Sequence, residues 1–153
     1  MNAHNVTLVI GVGDPYRRDD GVGLIAGRRL AAAARGRARF VEGSGAALPL
    51  MEAWAGAEAV IVIDAVRAGA EPGTVHRVDP HAASLLRPRF RSSTHGAGVA
   101  EAIELARALG RLPPRVVVLG VEGRQFDPGV GLSPEVEAAI DEVVARGLRE
   151  IGP

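Results

Sequence analysis

Three short apolar runs constrain this chain more than any other feature. Val6–Val12, Ala59–Ile63 and Arg115–Leu119 are each nearly continuous in Val, Ile and Leu, with no polar residue at every second position. A strand with one wet face alternates at period two, so runs without alternation belong to strands covered on both faces, as in a parallel sheet between helices. Between the runs the period changes to that of a helix. Val22, Ile25, Ala26, Leu30, Ala33 and Ala34 mark a helix from Gly21 to Arg35, with Arg28, Arg29 and Arg35 toward water. Val99, Ala102, Ile103, Ala106 and Leu109 give a second buried stripe, and Val136, Ile140, Val143, Val144, Gly147, Leu148 and Ile151 a third. Ser133-Pro134-Glu135 is a strong start for the last helix: a Ser N-cap, Pro in the first turn and an acid at the positive dipole end.

Weaker signals fill the gaps. Arg39–Val41 reads as a second strand that ends in a flexible loop, Glu42-Gly43-Ser44-Gly45. A short helix covers Leu48–Ala55 and carries the single tryptophan, Trp54, as a packing residue. Thr74–Val78 alternates like an edge strand. The turn before it, Ala68–Gly73, is too short for a helical crossover, so this edge runs antiparallel to the strand ending at Asp64. Pro80–Arg91 reads as loop, and Ser92-Ser93-Thr94-His95-Gly96 supplies cap residues for the helix that ends near Leu109. The order β-α-β-α-β-β-α-β-α predicts an α/β fold: a three-layer α/β/α sandwich around a mostly parallel five-stranded sheet with one antiparallel edge strand. At 153 residues, with no repeat or linker, residues 1–153 read as one domain.

Composition closes several functional classes. Eighteen basic and eighteen acidic residues balance, so no overall field draws nucleic acid or an anionic membrane. Every basic residue is Arg and none is Lys, a bias that looks genomic rather than chemical. The absence of cysteine excludes disulfides, thiolate metal sites and a Cys nucleophile. No stretch approaches the roughly 18 uninterrupted apolar residues of a membrane span, and no signal peptide is visible, so a cytoplasmic protein is expected.

The chemistry gathers where strands hand over to helices. After Gly11-Val12-Gly13 comes the polar turn Asp14-Pro15-Tyr16-Arg17-Arg18-Asp19-Asp20, Asp64 ends the clearest strand, and His95 opens a helix. In an open α/β sheet these positions share the rim beyond the carboxyl ends of the strands. Each residue alone has a plainer use: Asp19 or Asp20 as a helix cap, Asp64 as a loop anchor, His95 as a surface cap. Either member of the adjacent pair can serve as the cap and leave the other as the site carboxylate. Together, two carboxylates and an imidazole kept neutral by a helix N-terminus form an O,O,N set. Such a set suits a first-row divalent metal and leaves positions open on it. A dinucleotide fingerprint fails because Tyr16 stands where its third glycine belongs, and no Gly-Lys-Ser/Thr pair makes a P-loop. The nucleophile elbow of a Ser hydrolase is only loosely matched by Glu42-Gly43-Ser44-Gly45.

The ordered set resembles the [NiFe]-hydrogenase maturation endopeptidases. It comprises Gly11-Val12-Gly13-Asp14 with Asp19-Asp20-Gly21-Val22-Gly23, Val62-Ile63-Asp64-Ala65, Ser93-Thr94-His95-Gly96, and Gly131-Leu132-Ser133-Pro134-Glu135-Val136. The resemblance runs from about Val6 to Val144. It implies a phosphorylase/hydrolase-like fold and a cytoplasmic peptidase that removes a C-terminal extension from a hydrogenase large-subunit precursor after nickel insertion. It further implies that the nickel is carried by the precursor and that no organic cofactor is involved. It also implies that Asp20, Asp64 and His95 are the metal-binding and catalytic residues. Asp14 stands where the family usually has Asn, Asp20 where it often has Glu, and Glu42-Gly43-Ser44-Gly45 where it has Asp-Gly-Gly-Thr. Glu42 is carried as a further catalytic candidate on that match. A stand-alone metal-dependent peptidase and a non-catalytic, metal-dependent module that escorts a precursor are the alternatives.

Overall fold

The computed structural model describes residues 6–43, 45–82 and 98–153. The three apolar runs form the centre of a five-stranded sheet, β1 (Thr7–Val12), β3 (Ala59–Val66) and β5 (Arg115–Glu122), flanked by β2 (Ala38–Gly43) and β4 (Val75–Val78). The strand order is β2-β1-β3-β5-β4; all pairs are parallel except β4 with β5. Helices α1 (Val22–Ala33) and α4 (Pro134–Ile151) pack together on one face, α2 (Ala47–Trp54) and α3 (Gly98–Leu109) on the other. The α/β/α layering expected from the sequence is therefore the observed architecture.

Two apolar clusters, one per face, follow from the alternation of side chains along the strands. Leu8, Ile10, Val60, Val62, Val116 and Val118 point toward α2 and α3, where Trp54 and Ile103 meet them. Val9, Ile61, Ile63, Val117, Leu119 and Val121 point toward α1 and α4, against Leu30, Ile140 and Val143. Because both faces are covered, every residue of β1 is buried, which is why its sequence does not alternate.

Several boundaries differ from expectation. Glu42 and Gly43 are the last two residues of β2, paired with Gly11 and Val12, rather than the start of a loop. β3 continues past Asp64 to Val66, and β5 past Leu119 to Glu122, each sustained by the other. A 3-10 turn, Arg18–Gly21, precedes α1 and takes in Asp19 and Asp20, the cap candidates, together with Gly21, the expected helix start. Leu109, expected in the buried stripe of α3, is 54% exposed. β4 is antiparallel as expected, but its hydrogen-bonded neighbour is β5, which lies between it and the strand that ends near Asp64. The expected start of α3, His95 included, lies outside the described residues.

This strand order creates a switch point. From β1 the chain crosses by way of α1 to β2 on one side, then returns by way of α2 to β3 on the other. The connection after β1 runs toward β2 and the connection after β3 runs toward the opposite edge, so the switch point falls between the carboxyl ends of β1 and β3, where open α/β sheets usually form their ligand crevice.

Candidate active site

Asp20 and Asp64 come to that crevice from its two sides. The 3-10 turn that carries Asp20 follows β1 and packs against β3, while Asp64 lies near the carboxyl end of β3 itself. β1 pairs with β3 only as far as Ile63, so Asp64 is the first β3 residue beyond that ladder. Both acids are buried, at 0% and 1% exposure.

Two glycines make the approach possible. Gly13 has φ +143°, and a Cβ there would lie 1.8 Å from the carbonyl oxygen of Asp20, so only glycine lets the turn fold back this tightly. At Gly23 a Cβ would lie 2.3 Å from the carbonyl oxygen of Ile63 and 2.6 Å from that of Val12. The first turn of α1 therefore rests directly on the ends of β1 and β3.

The turn is held by its own hydrogen bonds. Asp14 donates its N–H to Oδ2 of Asp20 at 2.8 Å, and its Oδ1 accepts the N–H of Tyr16 at 2.8 Å. Asp20 immediately precedes Gly21, the N-cap residue of α1, so its negative charge sits at the positive end of the helix dipole.

Asp19 proves to be neither a cap of α1 nor a site carboxylate. The N-cap residue of α1 is Gly21, which has no side chain to cap with, and the Asp19 carboxylate turns the other way, into the loop between β5 and α4. Its Oδ2 accepts the N–H groups of Arg124 and Gln125, each at 2.8 Å, and the hydroxyl of Ser133 at 2.7 Å; its Oδ1 accepts the Ser133 N–H at 2.7 Å. Burial acts to raise the Asp19 carboxyl, but these bonds from Ser133, Gln125 and Arg124 outweigh it and hold the group below its ordinary value. Ser133 stands at the N-cap position of α4 as expected, yet its hydroxyl serves Asp19 rather than the helix.

Glu42 lies apart from the two buried acids. It is a β2 residue on the side of the sheet that α1 covers, 58% exposed at its side chain and paired with Arg28. In β3 the residue in its register row is Ile63, which packs with Val9 and Val22, whereas Asp64 follows the opposite alternation. Glu42 and Asp64 thus occupy opposite faces, two strands or about 10 Å apart across the sheet.

His95 lies outside the described residues, and among those described no three His, Asp or Glu side chains gather as a metal cluster. Asp20 and Asp64 would need a donor from beyond them. Gly98, the first residue of α3, packs so tightly against Gly45 that a Cβ would lie 2.1 Å from its carbonyl oxygen, which brings the start of α3 to the loop beyond β2. That helix lies on the α2 side of the sheet, the side whose alternation Asp64 shares.

The sequence reading missed a further buried acid at the strand ends. Glu122 terminates β5 at 3% exposure; its carboxylate accepts the N–H groups of Ala68 and Ala70 and lies 3.4 Å from Nε2 of His76. It anchors the connection from β3 to β4. The signal was present, since Glu122 follows an apolar run just as Asp64 does.

Comparison with known proteins gives the family and the fold. The family model described as hydrogenase maturation protease matches residues 27–150. The hydrogenase expression/formation protein HupD of Rhodobacter capsulatus is 31% identical over 147 residues, covering 94% of this chain and 70% of that protein. The hydrogenase 2 maturation protease of Escherichia coli is 29% identical, covering 95% of this chain and 92% of that one. Among solved structures, the [NiFe] hydrogenase maturation protease HybD from Thermococcus kodakarensis superposes with a TM-score of 0.78 at 26% identity, covering 96% of this chain and 99% of that one. The E. coli hydrogenase maturating endopeptidase HybD gives 0.73 at 25% identity, with 94% and 90% covered. The chain belongs to the hydrogenase maturation protease family, and it is a peptidase.

Proposed function

We propose that this peptidase removes the C-terminal extension of a [NiFe]-hydrogenase large-subunit precursor in the cytoplasm, and that it recognises nickel already bound by the precursor. The observation that carries the reading is the burial of Asp20 and Asp64 on the two sides of the β1–β3 crevice. A buried carboxylate has to be met by hydrogen-bond donors or by a cation, and its remaining lone pairs can be offered to a metal. Two such carboxylates with one imidazole make a hard, O-rich donor set that binds a free divalent ion modestly. Such a set suits a metal that arrives with other ligands already attached.

In this reading Asp20, Asp64 and His95 complete the coordination of the precursor's nickel and so place the extension in the crevice only after insertion. Held by these residues, the precursor's nickel would supply Lewis-acid chemistry, polarising the scissile carbonyl or acidifying a water. Water adds to the carbonyl carbon, the C–N bond breaks, and the released amine takes the proton, with one of the carboxylates serving as general base. Glu42 is a weaker candidate for that role because of its exposure and its pairing with Arg28.

The deciding experiment incubates the purified protein with nickel-loaded and nickel-free precursor. Cleavage confined to the loaded form is expected; equal cleavage of both would remove nickel recognition. Metal analysis of the isolated protein runs in parallel. Tight stoichiometric zinc, with cleavage of unrelated peptides, would favour a stand-alone metallopeptidase instead.

A further inference from the structure

A groove of about 290 Å³ opens where the Arg18–Gly21 turn, α1 and the loop before α4 meet α4. Its lining is mainly apolar, with Pro15, Ile25, Leu132 and Ile140 inside and Val130, 75% exposed, on the lip. Its charged residues are Arg18, Arg29 and Glu137. Among the described residues Arg29 makes no ion pair, and Arg18 meets Asp127 only at 3.4 Å near the surface. Arg29 therefore stands as a cation at the far end of an apolar floor.

Its position relative to the crevice gives it a use. Arg18 and Gly21 line the groove, while Asp20, between them in the same turn, is buried toward β3. A chain seated in the groove would have one end at the turn that carries Asp20. From Gly21 the lining follows α1 through Ile25 to Arg29, one helical stripe at i, i+4 and i+8. Eight residues of helix rise about 12 Å, which spans roughly four residues of extended peptide.

We propose that this groove holds the departing side of the substrate: an extended, apolar stretch of the precursor's C-terminal extension, with an acidic group about four residues beyond the cut facing Arg29. The inference rests on the maturation reading above. The residues before the cut belong to the folded subunit that holds nickel. Those after it are a free chain, and the groove begins at the turn that carries Asp20. Apolar contacts supply affinity, and the charge at the far end fixes the register of the peptide.

Steady-state cleavage of nickel-loaded precursor tests the proposal. Arg29→Glu, an exposed substitution, should raise KM about tenfold while kcat holds, and Val130→Asp on the lip should do the same. Arg149→Glu, an exposed charge reversal in the last turn of α4, should change neither constant. A precursor whose extension has its acidic residues changed to Lys should restore a low KM to Arg29→Glu and lose it with the wild type. Unchanged KM in Arg29→Glu, or failure of the swapped precursor to restore it, overturns the groove while leaving the maturation reading intact. A wild-type protein that leaves nickel-loaded precursor uncut overturns the maturation reading itself.

Discussion

Asp19 and Ser133 stand 114 residues apart in sequence and meet through two 2.7 Å hydrogen bonds, one from the Ser133 N–H and one from its hydroxyl. With the Arg124 and Gln125 N–H groups they make Asp19 a strut between the turn after β1 and the loop before α4. The same two segments are joined by a parallel bridge between Arg17 and Gly129. Removing the carboxylate would leave several buried donors unsatisfied. Asp19→Ala should lose roughly 2–4 kcal/mol in denaturant unfolding. A double-mutant cycle with Ser133→Ala should give a coupling of about 1–2 kcal/mol; additivity would show that the hydroxyl does not serve Asp19.

Asp19 also sets a pH dependence. Its folded value lies below the ordinary one, so the folded state favours the ionised form. Its contribution is fully present above the unfolded carboxylate value near 4 and is lost as pH falls through the lower folded value. Stability of the wild type should therefore decline with acid below about pH 4, and Asp19→Asn should show a shallower decline from a lower starting point. Parallel acid limbs for the two proteins would assign the acid sensitivity to other groups.

What the sequence revealed, and what it hid, follows from the range of the interactions. The covered strands were legible because burial on both faces is written locally, residue by residue, in Val60 to Ile63 and Val116 to Leu119. The neighbour of β4 was not, because β5 enters the sheet some forty residues later and takes the place beside β3. Asp20 and Asp64 were legible as rim residues from the handover of strand to helix. The division of labour between Asp19 and Asp20 depends on a loop more than 100 residues downstream, which no local pattern encodes.

Gly23 gives a sharper test of the crevice than any charged residue nearby. A methyl at this position meets two backbone carbonyls, which cannot rotate away as a side chain could. Gly23→Ala should push α1 off the ends of β1 and β3, costing more than about 3 kcal/mol or, where the fold survives, separating Asp20 from Asp64. Loss of cleavage together with a lowered melting temperature is expected. Gly56→Ala, where nothing lies within 4 Å of the added Cβ but φ is +78°, should cost only about 1 kcal/mol and spare turnover.

Glu42 and Asp64 separate by the face of the sheet they occupy. Glu42 shares an exposed ion pair with Arg28, the kind that contributes at most about 1 kcal/mol. Glu42→Ala should leave kcat within about threefold of wild type and stability within 1 kcal/mol. A hundredfold loss of kcat without unfolding would instead make Glu42 part of the catalytic machinery and would require the substrate to extend over β2.

Asp20 both holds the turn and supplies charge to the crevice, and two substitutions distinguish these contributions. In Asp20→Asn the amide oxygen can still accept the N–H of Asp14, so the turn keeps its bond. Asp20→Ala loses the bond and the charge together. If the carboxylate is a ligand for the precursor's nickel, Asp20→Asn should lower cleavage of nickel-loaded precursor at least a hundredfold with a stability change under about 1 kcal/mol. Asp20→Ala should add a stability loss of about 1–3 kcal/mol to the same defect. Asp20→Glu restores the charge on a longer stem and should recover part of the activity. An Asn variant that cuts as fast as wild type would reduce Asp20 to a structural residue and leave Asp64 as the sole buried carboxylate of the proposed centre.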